Sequence, residues 1–180
     1  DALQGRFVES YYFNPIFESY SNHRYDTGDY MEIDPNLGSK EDLDALIRDA
    51  EKQGMRVILD GVFNHTGDDS RYFNRYSNYP SLGAYQSTQS PYYDWYTFHG
   101  SRDRYDSWWG IETLPAIKES SESYQNFMFS ENGVIKSWLK HGIGGYRLDV
   151  ADELPGFFLK MLRKAAKDQD PDAVIIGEVW

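Results

Sequence analysis

With 180 residues and no cysteine, the chain is long enough to bury a sizeable core but has no disulfide, thiolate zinc site or thiol nucleophile to draw on. A formal net charge of −11 argues against nucleic acid and anionic membrane as partners, and for neutral or polar ligands. Neither terminus shows a signal-peptide pattern or an apolar run of spanning length, so a soluble chain, cytoplasmic or secreted, is expected.

A β-favouring run from Val8 to Phe13 stops at Asn14-Pro15, where proline takes the chain out of any central strand. The stretch from Ser21 to Gly38, punctuated by Gly28 and Pro35, is read as a loop. Ser39 followed three residues later by Asp42 is a capping signature. Leu43, Leu46, Ile47 and Ala50 then recur at helical spacing until Gly54. Val57, Ile58 and Leu59 form the continuous apolar run of a strand buried on both faces, with Asp60 at its end and Asn64 and His65 just beyond. Strand, helix and strand with short connections predict a parallel unit.

From Thr66 to about Ser120 no period holds. The segment is far longer than an ordinary connection. Its many tyrosines and tryptophans predict a folded excursion, because disordered linkers are poor in such residues. Aromatic faces among polar groups also suit sugar rings, whose C–H faces stack and whose hydroxyls need partners. Helical spacing returns from Ser121 to Lys140, with a break at Asn132-Gly133. Glycines 142, 144 and 145 lead into a strand at Tyr146 to Val150, which carries Arg147 and Asp149 on one face. Pro155 opens a helix whose stripe is Phe158, Leu159, Leu162, Ala165 and Ala166, and Ala173 to Trp180 is the last strand, bearing Glu178. The result is an α/β chain with four parallel-strand candidates.

Successive strands thus end in acids: Asp60, then Arg147 with Asp149, then Glu178. A semi-buried arginine among carboxylates is, residue by residue, more often an ion-pair network. Three strand ends each delivering an acid is harder to assign to packing, and two carboxylates with an arginine are what glycosidic cleavage uses. One carboxylate must stay ionised, a state Arg147 favours in Asp149; the other must hold a proton, which falls to Glu178 in a more apolar setting. The alternatives are a carbohydrate-binding or interaction module without catalysis, and a metal-dependent hydrolase. The dispersed histidines and the absence of HExxH count against the latter. No GxGxxG, P-loop or nucleophile elbow is present.

These residues resemble the α-amylase superfamily, glycoside hydrolase family 13. DGVFNH (Asp60–His65), YRLDVADE (Tyr146–Glu153) and GEVW (Gly177–Trp180) are similar to three of its signature regions in order, and His23 to Gly38 resembles the segment after its second barrel strand. NPIFES, WWG-x-x-TLP (Trp108–Pro115) and DVADE resemble the neopullulanase, cyclomaltodextrinase and maltogenic amylase branch.

The resemblance implies a partial (β/α)8 TIM barrel spanning about the second to fifth strands. Residues 1–65 would hold the second and third strands and the helix between, 66–120 an insertion like domain B, and 121–180 a helix, the fourth strand, a helix and the fifth strand. It implies that Asp149 is the nucleophile, Glu178 the general acid/base and Arg147 the residue that holds and polarises the nucleophile, with Asp60 beside it. His65 and Tyr25 correspond to contacts with the sugar on the non-reducing side of the cleaved bond, and Asp60 and Trp180 are counted with the substrate-binding residues. An α-glucan, as oligosaccharide or polysaccharide, is the expected partner. Many family amylases carry a histidine calcium ligand four residues after the nucleophile; here Glu153 stands there. No cofactor is therefore required, and Asn64 is the possible ligand if calcium binds. Asp152 stands where the branch commonly has asparagine. A complete barrel takes about 250 residues, and the signature bearing a third catalytic aspartate is not in the sequence. The chain is read as part of a catalytic domain, weakly active or inactive alone, whose open edges favour self-association.

Overall fold

The computed structural model describes residues 10–180. Four parallel strands form one sheet in sequential order. They are β1 (Ser10–Phe13), β4 (Arg56–Gly61), β5 (Gly145–Leu148) and β6 (Val174–Gly177). Val8 and Glu9, expected to begin the first strand, lie outside the described residues. Sequential order in a parallel sheet, with helices in the connections, is the arrangement of adjacent barrel strands, and the partial barrel reading holds.

The stretch read as a loop is not one. Phe17–Ser19 (β2) and Thr27–Ile33 (β3) pair antiparallel, with irregular register on both sides of Glu18. Thr27, Asp29 and Tyr30 of β3 are at most 1% exposed. An aspartate in a strand is unfavourable by propensity. Asp29 is tolerated because its carboxylate accepts from the Arg71 guanidinium at 2.7 Å and the Tyr72 hydroxyl at 2.9 Å, both delivered by a distant part of the chain.

Helix α1 (Lys40–Lys52) starts with the expected reciprocal cap: Ser39 accepts from the Asp42 amide and Asp42 accepts from the Ser39 amide. Leu43, Ile47 and Ala50 are buried, whereas Leu46 stays 40% exposed at the margin of the stripe. The break at Asn132-Gly133 separates α2 (Glu122–Phe129) from α3 (Val134–Lys140). Helix α4 (Gly156–Gln169) has Pro155 at its N-cap and buries Phe158, Leu162, Ala165 and Ala166. Gly145 is required by close approach: at φ 146° a Cβ there would lie 1.9 Å from the Val174 carbonyl oxygen.

The excursion has little regular structure beyond single 3₁₀ turns at Tyr93–Trp95 and Trp108–Gly110. Aromatic contacts hold it instead. Tyr72 stacks on Tyr30 at 5.6 Å and meets Trp95 at 5.0 Å, and Trp95 meets Tyr124 of α2 at 5.0 Å. Trp138 of α3 donates its indole N–H to the Tyr30 carbonyl at 2.8 Å. One hydrophobic core therefore runs from the sheet and helices into the excursion.

Candidate active site

The site lies where β4, β5 and β6 end. Asp60 and Arg147 are register partners across β4 and β5, and the ladder extends one step further through the Asp149 amide to the Gly61 carbonyl and the Glu178 amide to the Leu148 carbonyl, each at 3.0 Å. Parallel pairing of strands of similar length thus brings their terminal side chains to one rim.

Arg147 is the hub. One of its terminal nitrogens donates to both oxygens of Asp60 and to Asp149 Oδ1, each at 2.9 Å, and the other faces Glu178 Oε2 at 2.7 Å. Burial opposes the Arg147 cation, but hydrogen bonds and charge from Asp60 outweigh it and hold the guanidinium protonated. For Asp149 the balance is the reverse of the sequence expectation. Burial pushes its carboxyl up to about 6, Arg147 pulls against that, and the Asp60 and Glu178 charges add to the rise. Three carboxylates around one guanidinium leave an excess of negative charge. At neutral pH Asp149 is still mostly ionised. Glu178 does not sit in the apolar setting expected of it: its side chain is about a third exposed, ion-paired to Arg147 and accepts the Val150 N–H at 3.1 Å.

Asp60 is 1% exposed, with its oxygens taken by Arg147 and by the Tyr12 hydroxyl. Counted from sequence among the substrate contacts, it instead fixes Arg147 from below, because solvent cannot reach it. His65 is likewise only 1% exposed. Its Nε2 lies 3.0 Å from the Tyr25 carbonyl, which can only accept, so Nε2 carries the proton and Nδ1 is left as a buried lone pair. Burial pushes the imidazole down to about 4, so it is neutral at neutral pH. His65 therefore ties the Tyr25 backbone to the end of β4, and Trp108 stacks over its ring at 5.2 Å. Tyr25 is half-buried, its hydroxyl in contact with Tyr12 and Asp60, and burial together with the Asp60 charge raises its pKa. Trp180 is 79% exposed at the rim.

Four residues beside the site were given no role there by the sequence reading. Tyr12 shares its β1 face with the site and supports both Asp60 and, at 5.8 Å from its ring, the Arg147 guanidinium. Trp108 and Trp109 donate their indole N–H groups to the two oxygens of Glu153 at 2.7 and 2.8 Å. Val150, directly after the nucleophile candidate, adopts φ 45° and ψ 52°, a rare conformation for a β-branched residue. The WW pair was visible in the sequence, but its partner lies more than forty residues away.

Asn64, the possible calcium ligand, is 5% exposed and both polar atoms of its amide are buried without a partner. Calcium takes about six to eight oxygens, usually including carboxylates. Glu153 spends both of its oxygens on indoles, and among the described residues no three His, Cys, Asp or Glu side chains gather to hold a metal. Among the described residues no helix is long and apolar enough to cross a membrane.

Residues 1–180 match the family model for the alpha amylase catalytic domain. The amylopullulanase of Thermoanaerobacterium saccharolyticum is 46% identical over the whole chain, which spans 16% of that protein. Neopullulanase 2 of Thermoactinomyces vulgaris is 35% identical over 96% of the chain and 29% of its own length. Among solved structures, the cyclic alpha-maltosyl-(1→6)-maltose hydrolase of Arthrobacter globiformis in complex with that sugar superposes with a TM-score of 0.85 at 30% identity, over 96% of this chain and 38% of that one.

Proposed function

Since the chain belongs to the alpha-amylase catalytic-domain family, in its neopullulanase, cyclomaltodextrinase and maltogenic amylase branch, we propose that the protein containing it hydrolyses α-glucosidic bonds with retention of configuration. Starch, pullulan, cyclodextrins and maltooligosaccharides are its substrate class. One observation carries the reading: Asp149 and Glu178, from neighbouring strand ends, are joined by the two ends of a single guanidinium. Double displacement calls for carboxylates about 5–5.5 Å apart, closer than an inverting pair that must admit water between them, and a shared guanidinium is a means of holding two acids near one another.

In the first step the Asp149 carboxylate attacks the anomeric carbon while Glu178 gives a proton to the departing glycosidic oxygen. The product is a glycosyl ester on Asp149 and a free hydroxyl on the leaving sugar. In the second step Glu178, now a carboxylate, takes a proton from water; the oxygen of that water attacks the same carbon and frees Asp149. Arg147 keeps Asp149 aimed and ionised, and Asp60 and Tyr12 keep Arg147 in place. Acting as the acid requires Glu178 to release Arg147 as the leaving oxygen arrives. Tyr25 contributes its ring to the sugar on the non-reducing side, with His65 fixing its backbone, and Trp180 contacts sugar at the rim.

The test is reducing-sugar release from starch, pullulan and cyclodextrin by the full-length protein and by its Asp149→Ala and Glu178→Gln variants. Each substitution is expected to lower kcat by several orders of magnitude. Full activity in Asp149→Ala would refute the mechanism. Sugar binding without turnover in the unaltered protein would favour a non-catalytic carbohydrate-binding role.

A further inference from the structure

Beyond Asp149 the chain leaves the sheet in one abrupt turn. Val150 adopts φ 45° and ψ 52° although it is β-branched, and its side chain is buried. Left-handed backbone is costly for such a residue and persists only where the surroundings enforce it. In an extended strand successive N–H groups point to opposite sides. A left-handed residue followed by the 3₁₀ turn Ala151–Glu153 brings them to one side instead. Both reach the same residue. The Val150 N–H donates to Glu178 Oε2 at 3.1 Å, and the Ala151 N–H donates to the Glu178 carbonyl at 2.8 Å.

Turn and strand fit closely. Gly177 ends β6, and a Cβ there would lie 3.0 Å from that of Ala151. Glu178 is therefore fixed at its amide by the Leu148 carbonyl, at its carbonyl by Ala151, and at one side-chain oxygen by Val150. Arg147 faces that same Oε2 at 2.7 Å, and among the described residues no hydrogen bond or ion pair takes Oε1. The two holds on Oε2 differ in kind. The attraction of Arg147 depends on negative charge at Glu178 and weakens once the carboxyl is protonated. The Val150 N–H is a neutral donor, and the carbonyl oxygen of a neutral carboxyl still accepts it.

We propose that Val150 is a positioning residue for the general acid/base, acting through its main chain. Its left-handed turn keeps Glu178 Oε2 as an acceptor in both protonation states and so assigns the transferred proton to Oε1. In the first step Oε1 gives its proton to the departing glycosidic oxygen. In the second, Oε1 takes a proton from the water whose oxygen attacks the anomeric carbon, and the proton count at Glu178 is restored. Arg147 lets go and returns between these steps, whereas the Val150 N–H holds throughout. The inference rests on the hydrolase reading and adds to it one main-chain group, which acts through Glu178 alone.

The experiment uses the full-length protein with the Val150 amide replaced by an ester, made by incorporating the α-hydroxy acid of valine. This deletes the N–H and keeps the side chain. The substrates are aryl α-maltosides whose phenols are of one size and of rising pKa, so that contacts on the leaving side stay alike while the need for a proton grows. The readout is the slope of log kcat/KM against phenol pKa. The ester is expected to leave the most acidic phenol nearly unaffected and to slow the least acidic by about tenfold, the scale of one hydrogen bond to a charged group. Val150→Gly keeps the N–H and adopts the left-handed turn freely, so its slope should match that of the unaltered protein whatever the lost side chain does to the melting temperature. An unchanged slope in the ester variant would overturn the proposal, as would a uniform loss across the phenols, the mark of a merely structural role. A Val150→Gly slope as steep as the ester's would overturn it too, by assigning the effect to the side chain. Failure of the hydrolase reading looks different, since the unaltered protein would then turn over none of the series.

Discussion

At Asp149 a charge is retained where the surroundings disfavour it. Its folded-state pKa is raised from the ordinary 3.8 to about 6, first by burial and then by neighbouring carboxylates, with Arg147 opposing. A carboxyl shifted upward binds its proton more tightly when folded, so its ionisation lowers stability as pH rises from about 4 to about 6, and the loss is complete above that. Two outcomes follow. Asp149→Asn in the full-length protein should melt no lower than the parent at pH 7, and any advantage should shrink toward pH 4; a variant much less stable at pH 7 would show that the Arg147 contact outweighs the buried charge. The acid limb of kcat/KM should fall off below pH of about 6 as the nucleophile protonates, and a profile flat down to pH 4 would contradict the raised pKa. Neither feature was legible in the sequence, where Arg147 beside Asp149 argued for a depressed pKa. Burial and the third carboxylate, which decide the sign, come from other strands.

Among the elements, those that bury their own apolar residues were readable. Val57–Leu59 announces a two-sided buried strand, and Phe158, Leu162 and Ala165 mark the buried stripe of α4. The Ser39–Asp42 cap formed as spaced. The β2–β3 pair was missed because β3 contains Gly28 and Asp29, poor strand residues made acceptable by Arg71 and Tyr72 from the excursion. Local chemistry reveals a strand when its own side chains supply the stabilisation and conceals it when they come from elsewhere. The same logic makes Gly145 the most vulnerable point of β5. Gly145→Ala forces a methyl group against the Val174 carbonyl and should separate β5 from β6, a destabilisation of about 3 kcal/mol or more. Denaturant unfolding measures it, and a cost under about 1 kcal/mol would mean that the strands reseat freely.

For the whole molecule, the sheet has two unfinished sides. Among the described residues, β1 and β6 each pair on one edge only, and Tyr11, Tyr12, Val174, Ile176 and Val179 are 39–70% exposed along or beside them. Such edges template pairing with another chain. The 180-residue chain produced alone should associate with itself, visible as a mass that grows with concentration in sedimentation. A stable monomer from micromolar to millimolar concentration would count against this.

The shared core has a different implication, for modularity. Tyr30 of β3, Tyr72 and Trp95 of the excursion, and Tyr124, Phe127 and Trp138 of the two following helices interlock as a single aromatic cluster. The excursion is thus not cargo mounted on a finished scaffold. A chimera that exchanges residues 66–120 for the corresponding segment of a relative inherits a mismatched interior unless Tyr30, Phe127 and Trp138 travel with it. The insert and its supporting helices are thus one unit of exchange for protein engineering, and a chimera that keeps them together should melt higher than one that splits them.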